Sequence, residues 1–123
     1  MSTSEIATVL AWHEALNSGD VETLLALSSD DIEVGGPKGA TQGLTALEEW
    51  VGSAGITLKP GNMYVHDGVV VVEQEASWAS DPETTHNVAS AFRVVHDQVT
   101  STFRHDNLAA AFAATDLSEK DII

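Results

Sequence analysis

The chain has 123 residues and no cysteine, which excludes disulfides, thiolate chemistry and cysteine zinc sites. Nineteen acidic residues against five basic ones give a formal net charge of −14, and such a surface repels nucleic-acid phosphates and anionic lipid headgroups, so we expect no nucleic-acid or membrane partner. The length predicts a single domain, residues 1–115, with a C-terminal tail at 116–123. No signal-peptide pattern and no run of roughly 20 apolar residues is present, so a cytoplasmic location is predicted.

The N-terminal segment is typical of an amphipathic helix. Ser2 and Glu5 have the spacing of a capping box, which predicts that the helix begins there. Its apolar positions fall in one arc of the helical wheel: Ile6, Val9, Leu10, Trp12 and Leu16. His13 lies inside the same arc, and Gly19 suits the left-handed residue that follows the last turn.

Two more helices and a short strand are predicted next. Asp20 is placed to cap a helix over 20–27, and a strand follows at 32–34. The glycine-rich stretch 35–39 predicts a loop, and its spacing does not match a phosphate-binding loop. Thr45 and Glu48 repeat the capping-box spacing and predict the start of a third helix, which ends near 52–55.

From residue 56 onward the hydrophobic period changes from that of helices to two residues. We predict a meander of strands at 56–66, 69–79, 84–96 and 98–106. Asp67-Gly68 predicts a tight hairpin, 80–83 a longer hairpin loop, and 108–115 a short final helix. The C-terminal tail is expected to be ordered only if Ile122 and Ile123 pack against the rest of the chain. Helices followed by an antiparallel meander predict an α+β architecture.

Strand alternation predicts which side chains face the interior. Burying Glu73 and Glu75 unpaired would cost free energy, so the opposite face of that strand, which carries Gln74 and Trp78, is predicted to be internal. The same reasoning on the neighbouring strands predicts a pocket without any carboxylate. Its predicted members are Trp12, His13, Leu16, Trp50, Gln74, Trp78, His86, Ser90, Phe92, Phe103 and His105.

Three segments carry a resemblance to a known family: Ala15 to Asp20 (ALNSGD), Asp31 to Pro37 (DIEVGGP) and Phe92 to Val94 (FRV). With them the chain resembles the nuclear transport factor 2-like superfamily, which includes SnoaL-like polyketide cyclases, ketosteroid isomerases and limonene epoxide hydrolases. The resemblance implies a cone-shaped, curved antiparallel sheet wrapped around N-terminal helices (a cystatin-like α+β roll). It also implies a homodimer formed through the outer face of the sheet, where an apolar patch is predicted from Val71, Ala89, Ala91 and Val95.

The catalytic residues of ketosteroid isomerases are replaced in this chain. Trp12 takes the place of the tyrosine on the first helix, and indole can donate a hydrogen bond but cannot accept one. Gly36 stands where that family has its general-base aspartate, and Ser90 aligns with the protonated aspartic acid of the oxyanion hole. Proton abstraction by the isomerase route is therefore not expected.

The resemblance to limonene epoxide hydrolases leads to the same conclusion. The arginine and two aspartates that surround the water in that family fall on Gln74, Ala76 and either His105 or Arg104. Strand alternation favours His105 as the inward residue, because that register also turns Phe103 inward. Neither inward aspartate is kept, so activation of water by that route is not expected.

Two functions stay open on the sequence. The first is binding of a small apolar or aromatic molecule in the cone, with or without cyclase-, isomerase- or hydrolase-type catalysis, for which His13, His86 and His105 are the acid/base candidates. The alternative is a non-catalytic dimeric interaction module with a packed interior. No cofactor is expected. No metal is expected either, because the two residues of a His-Asp dipeptide in a strand point to opposite faces.

Overall fold

The computed structural model describes residues 2–36 and 39–123. The helices are α1 (Ser2–Ser18), α2 (Val21–Ala26), α3 (Leu44–Ala54) and α4 (Leu108–Thr115), with a 3₁₀ turn at Glu119–Asp121. The strands are β1 (Ser28–Gly36), β2 (Gly39–Gln42), β3 (Ile56–His66), β4 (Val69–Trp78), β5 (Asp81–Val95) and β6 (Gln98–His105). Among the residues described, no helix combines the length and the apolar character that a membrane crossing requires.

The strands form one curved, unclosed sheet of six in the order β2-β1-β6-β5-β4-β3. Strands β3 to β6 make the predicted antiparallel meander, whereas β1 joins the sheet parallel to β6. The helices α1 and α3 lie on the concave side. The predicted α+β class and cone-shaped sheet are thus confirmed, with one parallel strand pair added.

The main hydrophobic core lies between the N-terminal helices and the concave face of the sheet. Trp12 on α1, Leu24 on α2 and Leu47 on α3 are fully buried there. Val70 and Val72 of β4 point into the same core, as the sequence predicted from the cost of burying the acidic face. This packing holds the N-terminal helices against the concave face of the sheet.

A second, smaller core covers the convex face of the sheet. Its buried members are Tyr64, Val71, Ala89, Ala91, Ala111 and Leu117. The helix α4 lies on this face, and the C-terminal segment pairs with β3 through a bridge between Ile122 and Tyr64. The C-terminal segment is therefore held by backbone pairing with β3, while the side chains of Ile122 and Ile123, on whose docking the order of the tail was predicted to depend, are exposed.

This second core corrects the predicted apolar dimer patch. Val71 and Ala89 are fully buried and Ala91 is 9% exposed, because α4 and the C-terminal segment of the same chain cover them. Of the four residues named for the patch, Val95 is exposed. A homodimer stays a prediction, but it no longer has that apolar surface as its basis.

The predicted loop at 35–39 is wrong for the glycines that the structure describes. Gly35 and Gly36 end β1, and Gly39 begins β2, a strand that the sequence did not indicate. Pro37 and Lys38 lie outside the described residues. Gly36 pairs with Gly39 across an antiparallel hairpin, so the glycines form a strand end where composition favoured irregular chain.

The predicted helix caps and turns are confirmed in part. Asp20 caps α2 as predicted, since its carboxylate accepts a hydrogen bond from the backbone N–H of Thr23. At α3 the cap is Gly43 without a side-chain hydrogen bond, so the predicted capping box there is wrong. The side chain of Ser2 lies outside the described residues.

Asp67-Gly68 makes the predicted tight turn, whereas the predicted loop at 80–83 is wrong, because Asp81 already pairs with Trp78.

Candidate functional site

A cavity of about 420 Å³ opens between α3, the β1–β2 hairpin and the concave side of the sheet. Its wall is mostly apolar and contains no carboxylate among the described residues. It is lined by Val34, Gly35, Gly36, Gly39, Ala40, Thr41, Trp50, Ile56, Leu58, Ser90, Thr102 and Arg104. Of the predicted pocket residues, Trp50 and Ser90 belong to this wall.

The register of β6 decides which of its side chains reach the cavity. Arg104 is the cross-strand partner of Ser90, and directly paired residues of antiparallel strands point to the same face. Arg104 therefore faces the interior, while His105 pairs with Ala89, which belongs to the second core on the convex face of the sheet. The prediction that His105 faces inward is wrong. Phe103 is likewise on the outer side, opposite Ala91, and does not line the cavity.

A β-bulge explains this error. Val94 pairs with Val99, and Arg93 pairs with Ser101, so β6 contains one residue more than β5 at this point. Such an extra residue reverses the alternation of every side chain that follows it. Val99 and Thr102 consequently both face inward although an odd number of positions separates them, and the strict alternation used for the prediction fails here.

The guanidinium of Arg104 contacts an aromatic ring and, among the described residues, pairs with no carboxylate. Its guanidinium carbon lies 5.4 Å from the centre of the Trp78 ring, a cation–π arrangement. Trp78 is half-buried and contacts the exposed His86 edge-on, with ring centres 5.7 Å apart. The sequence predicted that Trp78 lines the pocket, but Trp78 is not among the residues that line the cavity and instead contacts Arg104, which is.

The aromatic wall is made by Trp50 with Trp12 behind it. The two rings stack with centres 6.5 Å apart and an interplanar angle of 24°. Trp12 is fully buried, and its indole N–H donates to Ser28 Oγ at 3.1 Å. Phe92 packs edge-on against Trp12, and Leu16 lies in the same core. The predicted pocket residues Trp12, Leu16 and Phe92 are therefore core residues, and of the three Trp12 stacks directly on Trp50.

A chain of buried hydrogen bonds runs from α1 to the cavity. His13 Nδ1 lies 2.7 Å from the carbonyl oxygen of Val9, and His13 Nε2 lies 2.8 Å from Gln74 Nε2. The hydroxyl of Ser90 donates to Gln74 Oε1 at 2.8 Å. Burial lowers the pKa of His13, against a smaller raising effect of the bond to Val9, so the imidazole is neutral at physiological pH. Within the described residues no buried side-chain nitrogen or oxygen lacks a partner.

The structure does not bring the three candidate histidines together. His13 is 1% exposed and is separated from the cavity by Gln74 and Ser90. His86 is exposed beside Trp78, and His105 lies on the outer face. None of the three is among the residues that line the cavity.

Sequence reasoning missed the contributions of β1, β2 and Arg104. Gly35 pairs with Phe103 across the parallel β1–β6 ladder, and a Cβ at Gly35 would lie 2.5 Å from the Phe103 ring. This glycine is thus explained by close packing and not by a turn. The paired glycines that flank 37–38 were the one available signal for the hairpin.

The model of the SnoaL-like domain matches residues 9–102. No curated protein sequence matches the chain.

Solved structures share the fold at low sequence identity. A nuclear transport factor 2-like protein of unknown function from Cytophaga hutchinsonii has a TM-score of 0.74 and 14% identity, over 88% of this chain and 94% of that one. A candidate polyketide cyclase from Xanthomonas campestris has a TM-score of 0.72 and 20% identity, over 90% and 96%. TerC, co-crystallised with polyporic acid, has a TM-score of 0.72 and 18% identity, over 90% and 96%.

Proposed function

The chain belongs to the SnoaL-like domain family of the nuclear transport factor 2-like superfamily, and on that basis we propose that it binds a small, ring-shaped, largely apolar molecule carrying an acidic or carbonyl oxygen. The observation that carries the proposal is the position of Arg104, a cationic side chain in a mostly apolar wall that Trp50 also lines. In the described part of the chain Arg104 forms no ion pair with a carboxylate, so its N–H donors are available to a ligand.

The size and lining of the cavity support this proposal. About 420 Å³ lies within the roughly 300–1,000 Å³ typical of small-molecule sites, which combine an apolar wall with a few polar groups. The face of Trp50 offers a flat surface for a ring, and the stacked Trp12 keeps it in place. A cavity of this volume also argues against the alternative of an interaction module with a packed interior.

The relatives point to the same class of ligand. One structural relative is a candidate polyketide cyclase, and another, TerC, was co-crystallised with polyporic acid, an organic acid. Their identities to this chain are low, so they support the class of molecule and not a particular compound.

A cyclase- or isomerase-like reaction is the second candidate, and Arg104 again favours it. A guanidinium can stabilise the negative charge of an enolate or phenolate oxygen as that charge develops. Histidine acid/base chemistry has no support from the geometry, because His13, His86 and His105 are outside the cavity wall. A reaction here would have to proceed without a protein base among the described wall residues.

The proposal is tested by titrating the protein with 2-naphthoate and following tryptophan fluorescence, since Trp50 lines the cavity. We expect saturable quenching, and we expect Arg104→Gln to weaken binding about tenfold or more, as loss of a hydrogen bond to a charged group does. Arg93→Gln is the matched control, because Arg93 is exposed and next to the bulge. Equal weakening by both variants, or no quenching in the wild-type protein, would contradict the proposal.

A further inference from the structure

We propose that His13 and Gln74 fix Ser90 as a hydrogen-bond acceptor towards the cavity, so that the site selects ligands that donate a hydroxyl proton at this point. The inference deepens the proposed function and rests on it. His13 and Gln74 are positioning residues in this scheme, since neither lines the cavity and both act through Ser90.

The direction of the chain is set at its buried end. A carbonyl oxygen can only accept, so the 2.7 Å contact with Val9 requires the proton of His13 to be on Nδ1. The burial of His13 disfavours a second proton on the ring, which leaves a lone pair on Nε2. The tautomer of His13 that satisfies the contact with Val9 is therefore the one with its proton on Nδ1.

That tautomer determines how the amide of Gln74 is turned. At 2.8 Å from the Nε2 lone pair of His13, the amide must present its N–H₂ group, because an amide oxygen there would place two acceptors against each other. Its oxygen then points to Ser90. The contacts on both sides of the amide therefore fix its orientation.

The last step fixes the proton of Ser90. The hydroxyl has a single proton, and it is donated to Gln74 Oε1 at 2.8 Å. Ser90 is 2% exposed and belongs to the cavity wall, so what remains for a ligand is a lone pair on Oγ. Turning the proton into the cavity would leave the buried amide oxygen of Gln74 without a partner, which is costly.

Ser90 and Arg104 then give the site two opposite polarities. They pair across β5 and β6 on the same face, one as an acceptor and the other as a donor. A ligand that satisfies both carries a hydroxyl that donates and a second oxygen that accepts, on an apolar ring. In ketosteroid isomerases the residue that aligns with Ser90 is a protonated aspartic acid, which donates a hydrogen bond, so the polarity inferred for Ser90 is the opposite.

The test compares two neutral probes of nearly equal size, 2-naphthol, which donates through its hydroxyl, and 2-tetralone, whose carbonyl only accepts. In the wild-type protein we expect 2-naphthol to bind more tightly. Ser90→Ala should weaken 2-naphthol about tenfold and leave 2-tetralone unchanged. Gln74→Leu frees the Ser90 proton, so it should strengthen 2-tetralone relative to 2-naphthol. Gln98→Leu, on the exposed β5–β6 hairpin, is the matched control and should change neither.

The possible results separate the two proposals. Equal weakening of both probes by Gln74→Leu, as a purely structural role predicts, would overturn the inference, and so would tighter wild-type binding of 2-tetralone. If neither neutral probe nor 2-naphthoate binds, the proposed function itself fails. Because Gln74→Leu alters a buried group, ¹⁵N NMR of the wild-type protein provides a second measurement. A protonated Nδ1 and an unprotonated Nε2 on His13 are expected, and the other tautomer would contradict the inference.

Discussion

Asn17, at the end of α1, forms two hydrogen bonds with the backbone of Leu58. Its side-chain amide donates to the Leu58 carbonyl at 2.8 Å, and its side-chain oxygen accepts from the Leu58 N–H at 2.9 Å. β3 is an edge strand, so these backbone groups would otherwise lack a ladder partner. Since Leu58 lines the cavity, this pair also fixes one wall of the site relative to α1.

The first prediction concerns this pair. Asn17→Asp keeps the size of the side chain but replaces the donor with a charged oxygen facing the Leu58 carbonyl. We expect the free energy of unfolding to fall by about 1–3 kcal/mol, measured by urea denaturation. The matched control is Asn107→Asp at the N-cap of α4, where aspartate caps as well as asparagine. A comparable loss in both variants would show that the Leu58 contact contributes little.

The two stacked tryptophans should respond differently to truncation. Trp12→Ala removes a fully buried side chain and should reduce the free energy of unfolding by about 3–5 kcal/mol. Trp50→Ala affects a half-buried side chain at the cavity, so we expect a smaller loss of stability together with loss of 2-naphthoate binding. Urea denaturation and the ligand titration check both. A larger loss of stability from Trp50→Ala than from Trp12→Ala would contradict the assignment of Trp12 to the core and of Trp50 to the cavity wall.

His13 should make stability depend on pH. Burial lowers the pKa of His13 in the folded state, so the unfolded chain binds a proton first as the pH falls. The stability that depends on neutral His13 is fully present above its unfolded-state pKa of about 6.5. Below that pH the free energy of unfolding falls, by at most about 1.4 kcal/mol per pH unit. Between about pH 7.5 and pH 5.5 the free energy of unfolding should therefore fall more steeply with falling pH in the wild-type protein than in His13→Gln. His66→Gln, at an exposed position, is the control. Parallel curves for wild type and His13→Gln would contradict the prediction.

The covering of the outer sheet face can be tested at Leu117, which is 5% exposed. Leu117→Ala should cost about 2–5 kcal/mol, because it removes buried methyl groups from the second core. Leu10→Ala, at a position 42% exposed on α1, should change stability much less. Equal effects in urea denaturation would mean that the C-terminal segment does not pack as described.

The parallel pairing of β1 with β6 is tested with two neighbouring glycines. Gly35→Ala places a Cβ 2.5 Å from the Phe103 ring and should destabilise the protein by about 1–3 kcal/mol. At Gly36 the nearest atom to an added Cβ is 3.9 Å away, so Gly36→Ala should be tolerated. Combining Gly35→Ala with Phe103→Ala should reduce the penalty, as a double-mutant cycle would measure. Additive effects would indicate that the two residues do not meet.

The sequence by itself determined the fold class and most local structure. The change of hydrophobic period near residue 56, the cap at Asp20 and the turn at Asp67-Gly68 all follow from neighbouring residues. The cost of burying Glu73 and Glu75 was enough to assign the inner face of β4, and with it the inward side of Gln74, and the apolar alternation of β5 assigned the inward side of Ser90. These features depend on interactions within a few residues or across one hairpin.

The tertiary structure alone decided how the site is completed. The bulge in β6 brings Arg104 and not His105 to the cavity, and no composition signal at that point predicts one extra residue. Strand β2, the parallel pairing of β1 and the covering of Val71 by α4 join segments that are far apart in the chain. Local propensity cannot encode such contacts, because their free energy comes from surfaces that meet only when the whole chain has folded.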